Sequence, residues 1–145
     1  MPLITVLRSP DGLIVEVKIG PDSQRILSLQ AAGQAVPRPL LVRAVVDTGS
    51  DISCVAASVL TQLGLSPARS ATTTTTAGAQ QVRLFKVSLS IQQTGGSGAI
   101  YAVPDLTVME LMHSLPNIEA LIGLDILDEC LLVVNGPAQH FTLSF

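Results

Sequence analysis

Charge is scarce in this chain. Asp, Glu, Lys and Arg together make up 13% of its 145 residues, against roughly 25% in an ordinary soluble domain. A surface so poor in charge points to part of it being covered by another subunit. Aromatics are scarcer still, with three Phe, one Tyr and no Trp. The Lys and Arg are scattered, leaving no basic stripe or stacking platform, so no nucleic-acid partner is expected. Long apolar runs are also missing. Arg43 interrupts "PLLVRAVV" and "CLLVV" is short, whereas a membrane span needs about 20 apolar residues. "MPLITVLRSPDG" opens without a basic n-region, so a cytoplasmic protein with no membrane attachment is expected. Cys54 and Cys130 form no ligand spacing with His113 or His140. Free thiols are expected, with no metal and no cofactor.

What is present is an apolar share of 48% and a mean hydropathy of +0.52. That suffices for one folded domain over residues 1–145. Its punctuation is that of a mostly β protein. "LITVL", "LIVEVKI" and "RILSL" are short branched-aliphatic runs parted by "RSPDG" and "GPDSQ", which predicts a hairpin or small meander. In the second run Val15, Val17 and Ile19 alternate with Glu16 and Lys18, the period of a half-buried strand. Leu40 to Val46 reads as a strand, and Ala56 to Leu63 as a short helix stopped by Gly64.

Thr72 to Thr76 admit two readings, a low-complexity linker or a strand. Their β-branching favours a hairpin with a small-residue tip at "AGAQ" and a return strand from Gln81 to Ile91. "QTGGSG" predicts a turn into "AIYAV", and "VMELMHSL" a helical turn. A short helix is expected at Ile126 to Cys130, with Asp125 as its cap. The last strand alternates Phe141, Leu143 and Phe145 with Thr142 and Ser144. Its apolar face needs cover, and a subunit interface is the expected cover.

"VVDTGSDIS" carries the chemistry. A β-branched strand fixes the height of the Asp47 carboxylate, Thr48 can bond backbone, and Gly49 lets the chain turn sharply beside a substrate. One such string is a weak signal. A second apolar-apolar-Gly string, Leu121-Ile122-Gly123, lies well downstream and leads into a helix. Together, "VVDTGSDIS" and "ALIGLDIL" resemble the single-domain, retropepsin-like aspartic proteases. That family includes retroviral proteases, the protease domain of DNA-damage-inducible ubiquitin-shuttle proteins, and bacterial members of about this length. The resemblance covers Leu40 to Phe145 and leaves residues 1–35 as an N-terminal β extension outside the core.

The resemblance implies a mostly β, closed barrel-like fold with one or two short helices, working as a homodimer on a peptide or protein substrate. Asp47 would be the catalytic acid, Thr48 would lock the two loops together, and Gly49 would offer backbone to substrate. Ala77 and Gly78 would form the flap tip. Ile122 and Gly123 would pack beneath the loop, and Asp51, Leu115, Ile122 and Gly123 would contribute to substrate binding. Two features depart from the family pattern. Viral members place an Arg after the second Gly, where this chain has Leu124, so Asp51 lacks that partner. The flap region "TTTTTAGAQQ" also holds little glycine.

The mechanism implied is that of the aspartic proteases themselves: two carboxylates about 3 Å apart share one proton, and water is activated between them. An acidic optimum is expected. The competing reading is a catalytically silent dimer that binds peptides or scaffolds a partner. The intact Asp47 loop argues against it, because facing buried carboxylates cost stability.

Overall fold

The alternation in Ile14–Pro21 (β2) decides where the barrel begins. Val15, Val17 and Ile19 are 2, 0 and 0% exposed, while Glu16 and Lys18 face solvent. The computed structural model describes residues 1–95, 98–113 and 115–145. In it β2 pairs on one side with Leu40–Val46 (β3) and on the other with Gly78–Gln92 (β6). The circuit runs on from β3 through Ala120–Ile122 (β8), Cys54–Val55 (β4) and Ala99–Glu110 (β7), and back to β6. Six strands therefore close on themselves, which removes the free edges a sheet otherwise exposes. The barrel is filled by aliphatic side chains from every stave, among them Val17, Ala44, Val55, Val87, Val108 and Ile122.

Two elements extend from the barrel. Arg69–Thr75 (β5) pairs with the first half of β6 to form a long hairpin arm. Leu3–Leu7 (β1), Leu131–Asn135 (β9) and His140–Ser144 (β10) make a separate antiparallel sheet in the order β1-β10-β9. The predicted threonine hairpin is present. So is the helix after the Asp47 strand, Ala57–Gln62 (α2). Gly64 sits at φ +67, Gly64 N–H donates to Thr61 O and Leu65 N–H to Leu60 O, the helix stop expected of that glycine.

Four expectations change. "RILSL" is not a strand but part of Ser23–Ala31 (α1). Asp22, read as a turn residue, is buried and caps that helix by accepting from Arg25 N, and Gly33 at φ +67 ends it. The helices therefore number three among the described residues, with Leu124–Leu127 (α3) the last. Residues 1–35 are not a β extension beside the core, since β2 is a stave of the barrel and β1 belongs to the second sheet. "VMELMHSL" does not open a helix: Val108 to Glu110 end β7, held by parallel pairing to β4. Ser114 of that string, and Gly96 and Ser97 of the predicted "QTGGSG" turn, lie outside the described residues.

The C-terminal strand is covered, but by its own chain. β10 lies between β1 and β9, Phe141 and Leu143 are fully buried in the common core, and Phe145 stacks on Tyr101 with ring centroids 4.2 Å apart. Among the described residues no helix is long and apolar enough to cross a membrane. Phe141 joins the second sheet to the barrel core. Phe141→Ala should therefore cost about 3–5 kcal/mol, seen in urea unfolding as a lower midpoint with an unchanged slope.

Candidate active site

β3 delivers Asp47 to the rim of the barrel, and the ladder continues one step further, with Asp47 N–H donating to Ile122 O at 2.9 Å. The chain then turns. Gly49 N–H donates to Asp47 Oδ1 at 2.9 Å, and Ser50 N–H to Asp47 O at 3.3 Å. A Cβ on residue 49 would stand 3.2 Å from Asp47 Oδ1, so the glycine keeps that bond short. Asp47 is half-buried, and Thr48 and Gly49 are exposed at the tip of the loop. Asp47 Oδ2 makes no hydrogen bond with the described residues.

The second motif holds this loop from below. Ile122 and Gly123 are buried; a Cβ on Gly123 would lie 2.8 Å from both Ile52 C and Ser50 O. Those are backbone atoms, so only glycine fits. The head of α3 then donates outward, Leu124 N–H to Ser50 O at 2.8 Å and Asp125 N–H to Asp51 O at 3.3 Å. Asp125 does not cap its own helix, whose N-cap is Gly123 with no side-chain bond. Its carboxylate instead accepts from Ser53 N at 2.9 Å and from Ser53 Oγ at 2.7 Å, and Ser53 Oγ accepts from Gly123 N at 3.0 Å. Ser53 is fully buried and ties the two motifs together. Sequence reasoning passed over it. The one available sign was a lone hydroxyl inside an apolar stretch, Ile52-Ser53-Cys54-Val55. Asp51 is exposed, and its side chain makes no hydrogen bond with the described residues.

The hairpin arm turns at Thr76 and Ala77. Thr75 Oγ1 accepts from Ala77 N at 3.1 Å and donates to Gly78 O at 3.2 Å, with Gly78 at φ +103. Ala77 and Gly78 are exposed, and no hydrogen bond among the described residues joins them to the Asp47 loop. Leu115 is exposed in a turn bridged to Ile118, beside a cavity of about 430 Å³ shared with Ala57, Met112 and Glu119 but not with Asp47. Two residues expected at the substrate are buried. The Ile122 side chain points into the barrel core, and Gly123 is sealed under the Ser50–Ile52 turn. The face opposite the core belongs to Leu121, one residue earlier. Register places Leu121, Cys54, Met109 and Leu84 side by side across β8, β4, β7 and β6 on that face.

Cys54 reports on the electrostatics. Burial pushes its thiol up to about 11, and the nearby carboxylates of Asp125 and Asp47 push the same way. Cys54 and Cys130 are both free. A raised thiol pKa means that the neutral form persists past the free-thiol value of 9.0, so the stability it accompanies is present below that pH and lost as pH rises toward 11. Cys54 should stay silent to a disulfide reagent at pH 8 in the native state and react only on unfolding. Rapid labelling of Cys54 in folded protein would contradict this burial.

Comparison with known proteins agrees with the geometry. A sequence profile described as aspartyl protease matches residues 32–126. No curated protein matches by sequence. Among solved structures, the crystal structure of a retropepsin-like aspartic protease from Rickettsia conorii superposes with a TM-score of 0.58 at 14% identity, covering 97% of this chain and 89% of that one. The solution structure of simian foamy virus (mac) protease gives a TM-score of 0.47 at 16% identity, covering 79% of this chain and 91% of that one. The fold is thus retropepsin-like, and the chain belongs to the aspartyl protease family.

Proposed function

We propose that this protein is an aspartic endopeptidase whose active site forms between two copies of the chain. The observation that carries this reading is the state of the Asp47 loop. It is fully built, held from below by backbone bonds with Ile122, Leu124 and Asp125, yet it presents a single carboxylate. Asp125, the acid that follows the second motif, is committed to Ser53. The partner of Asp47 is therefore Asp47 of a second copy. In that pair one carboxylate takes a proton from water while the protonated one polarises the scissile carbonyl, with no covalent intermediate. Thr48 bonds across the two loops and the Gly49 backbone meets substrate, a reading that the exposure of both residues at the loop tip supports. The hairpin tip at Ala77 and Gly78 serves as a flap over the cleft. Two unpaired thiols fit a reducing, cytoplasmic setting.

The substrate chemistry follows from the face opposite the core. Half-buried Leu121 and Met109, on either side of the buried Cys54, form an uncharged wall leading from beside the Asp47 strand toward the hairpin arm. Apolar side chains flanking the scissile bond suit that wall. Asp51, exposed and without a hydrogen-bond partner among the described residues, is free to bond substrate main chain.

Two measurements test the reading. Casein or a peptide library incubated between pH 4 and 7 should be cleaved by the wild type, best at the acid end. Asp47→Asn should lose at least about a hundredfold, the scale of general acid-base catalysis. Equal cleavage by both forms, or by neither, removes the enzyme reading; the second outcome leaves a peptide-binding dimer. Leu121→Ala should lower kcat/KM for peptides with a large apolar residue by about tenfold relative to small ones, the worth of one apolar pocket contact. An unchanged ratio places the pocket elsewhere.

A further inference from the structure

The cavity of about 430 Å³ beside Leu115 stands on strands that also build the apolar wall. Backbone bonds carry those strands past their last paired residues. Ala56 N–H donates to Glu119 O at 2.8 Å, Leu111 N–H to Val55 O at 2.9 Å, and Glu119 N–H to Arg43 O at 3.0 Å. Side chains two residues apart on a strand share a face. Glu119, Ala56 and Leu111 lie two residues beyond Leu121, Cys54 and Met109, and all three line the cavity. It is therefore the next space along the wall. Its distance from the chemistry follows from strand geometry. Ile122 O accepts from Asp47 N, and Glu119 precedes Ile122 by about 10 Å of strand, at roughly 3.3 Å per residue. Leu111, Leu115 and Ile118 give the cavity apolar sides, and Glu119 is the one carboxylate on it. The Glu119 side chain makes no ion pair among the described residues. Arg43, next to it across the ladder, is turned instead to Asp11 and Asn117 O. His113 is the other titratable group on the lining.

We propose that this cavity takes a basic side chain, Lys or Arg, of the substrate at a position remote from the scissile bond. This rests on the reading that Leu121 and Met109 wall a substrate cleft, and it adds Glu119 as a specificity-determining residue. Lys and Arg carry a cationic head on an apolar stem. Leu111, Leu115 and Ile118 match the stem, and the Glu119 carboxylate matches the head. An acidic side chain would meet Glu119 as a like charge. A purely apolar one would strip water from the carboxylate and return no hydrogen bond, which costs free energy. Spacing sets the position. An extended peptide advances about 3.3 Å per residue, so the cavity is about three residues from the bond that is cut. Every lining residue comes from one chain, so the pocket exists whether or not a second copy is bound.

Binding is read apart from turnover in the Asp47→Asn protein at pH 7. The probes are peptides with a central apolar pair and Lys, norleucine or Glu placed two to four residues from it, on either side. At one of these positions Lys should bind at least about tenfold tighter than norleucine, the scale of one hydrogen bond to a charged group. Glu there should bind weakest. The Lys peptide should shift the amide resonances of Leu111, Ile118 and Glu119. Glu119→Gln, added to Asp47→Asn, should erase the difference between Lys and norleucine. Glu119 is exposed, and an unchanged amide spectrum away from the cavity verifies that the variant is folded. Equal binding of the three peptides, no binding up to millimolar concentration, or a Lys preference that survives Glu119→Gln would overturn the proposal. Lys-selective binding that depends on Glu119, in a protein whose wild type never cleaves, keeps the pocket and removes the protease reading. Cleavage without any such selectivity removes the pocket alone.

Discussion

The structure depends on the place where Gly123 slides beneath the turn that follows Asp47. The clearance there is less than a methyl group, since a Cβ would meet two backbone atoms at 2.8 Å. Close approach lets the head of α3 donate its N–H groups to Ser50 O and Asp51 O. Through Ser53 it also makes the Asp125 carboxylate part of the support. Helix-head N–H groups need acceptors and loop carbonyls need donors. Here each supplies the other, and the result is a rigid shelf for one carboxylate.

Everything upstream serves to bring those two segments together. The parallel pairing of β3 with β8 sets Val46 beside Ile122, and the closed barrel leaves neither strand an alternative partner. Its aliphatic filling makes the shelf stiff without any buried ion pair. The two salt bridges among the described residues, Arg43–Asp11 and Arg83–Glu110, are partly exposed at the periphery, where such pairs contribute little. The cost of this economy is a chain with little charge on its surface and with an open apolar edge at β9.

Legibility in the sequence followed the range of each signal. The Asp47 turn, the Gly64 stop and the threonine hairpin are written in neighbouring residues, and the fold keeps them. Signals with two meanings misled. "GPDSQ" has turn composition, but Asp22 within it is a helix cap, so α1 read as a strand. "VMELMHSL" has a helical spacing that pairing with β4 overrides, as tertiary contacts override propensity. The side of a strand changes with one residue, so Ile122, expected at the substrate, faces the core while Leu121 faces the other way. Ser53 and the true role of Asp125 were invisible because their bond joins segments remote in sequence.

The central claim is that the active site belongs to two chains at once. It is tested most directly by mixing wild type with Asp47→Asn in varying proportion at constant total protein, allowing exchange, and measuring cleavage. If each site needs both Asp47 carboxylates, activity falls as the square of the wild-type fraction. Activity falling in simple proportion to that fraction would show that one chain suffices, and would contradict the account.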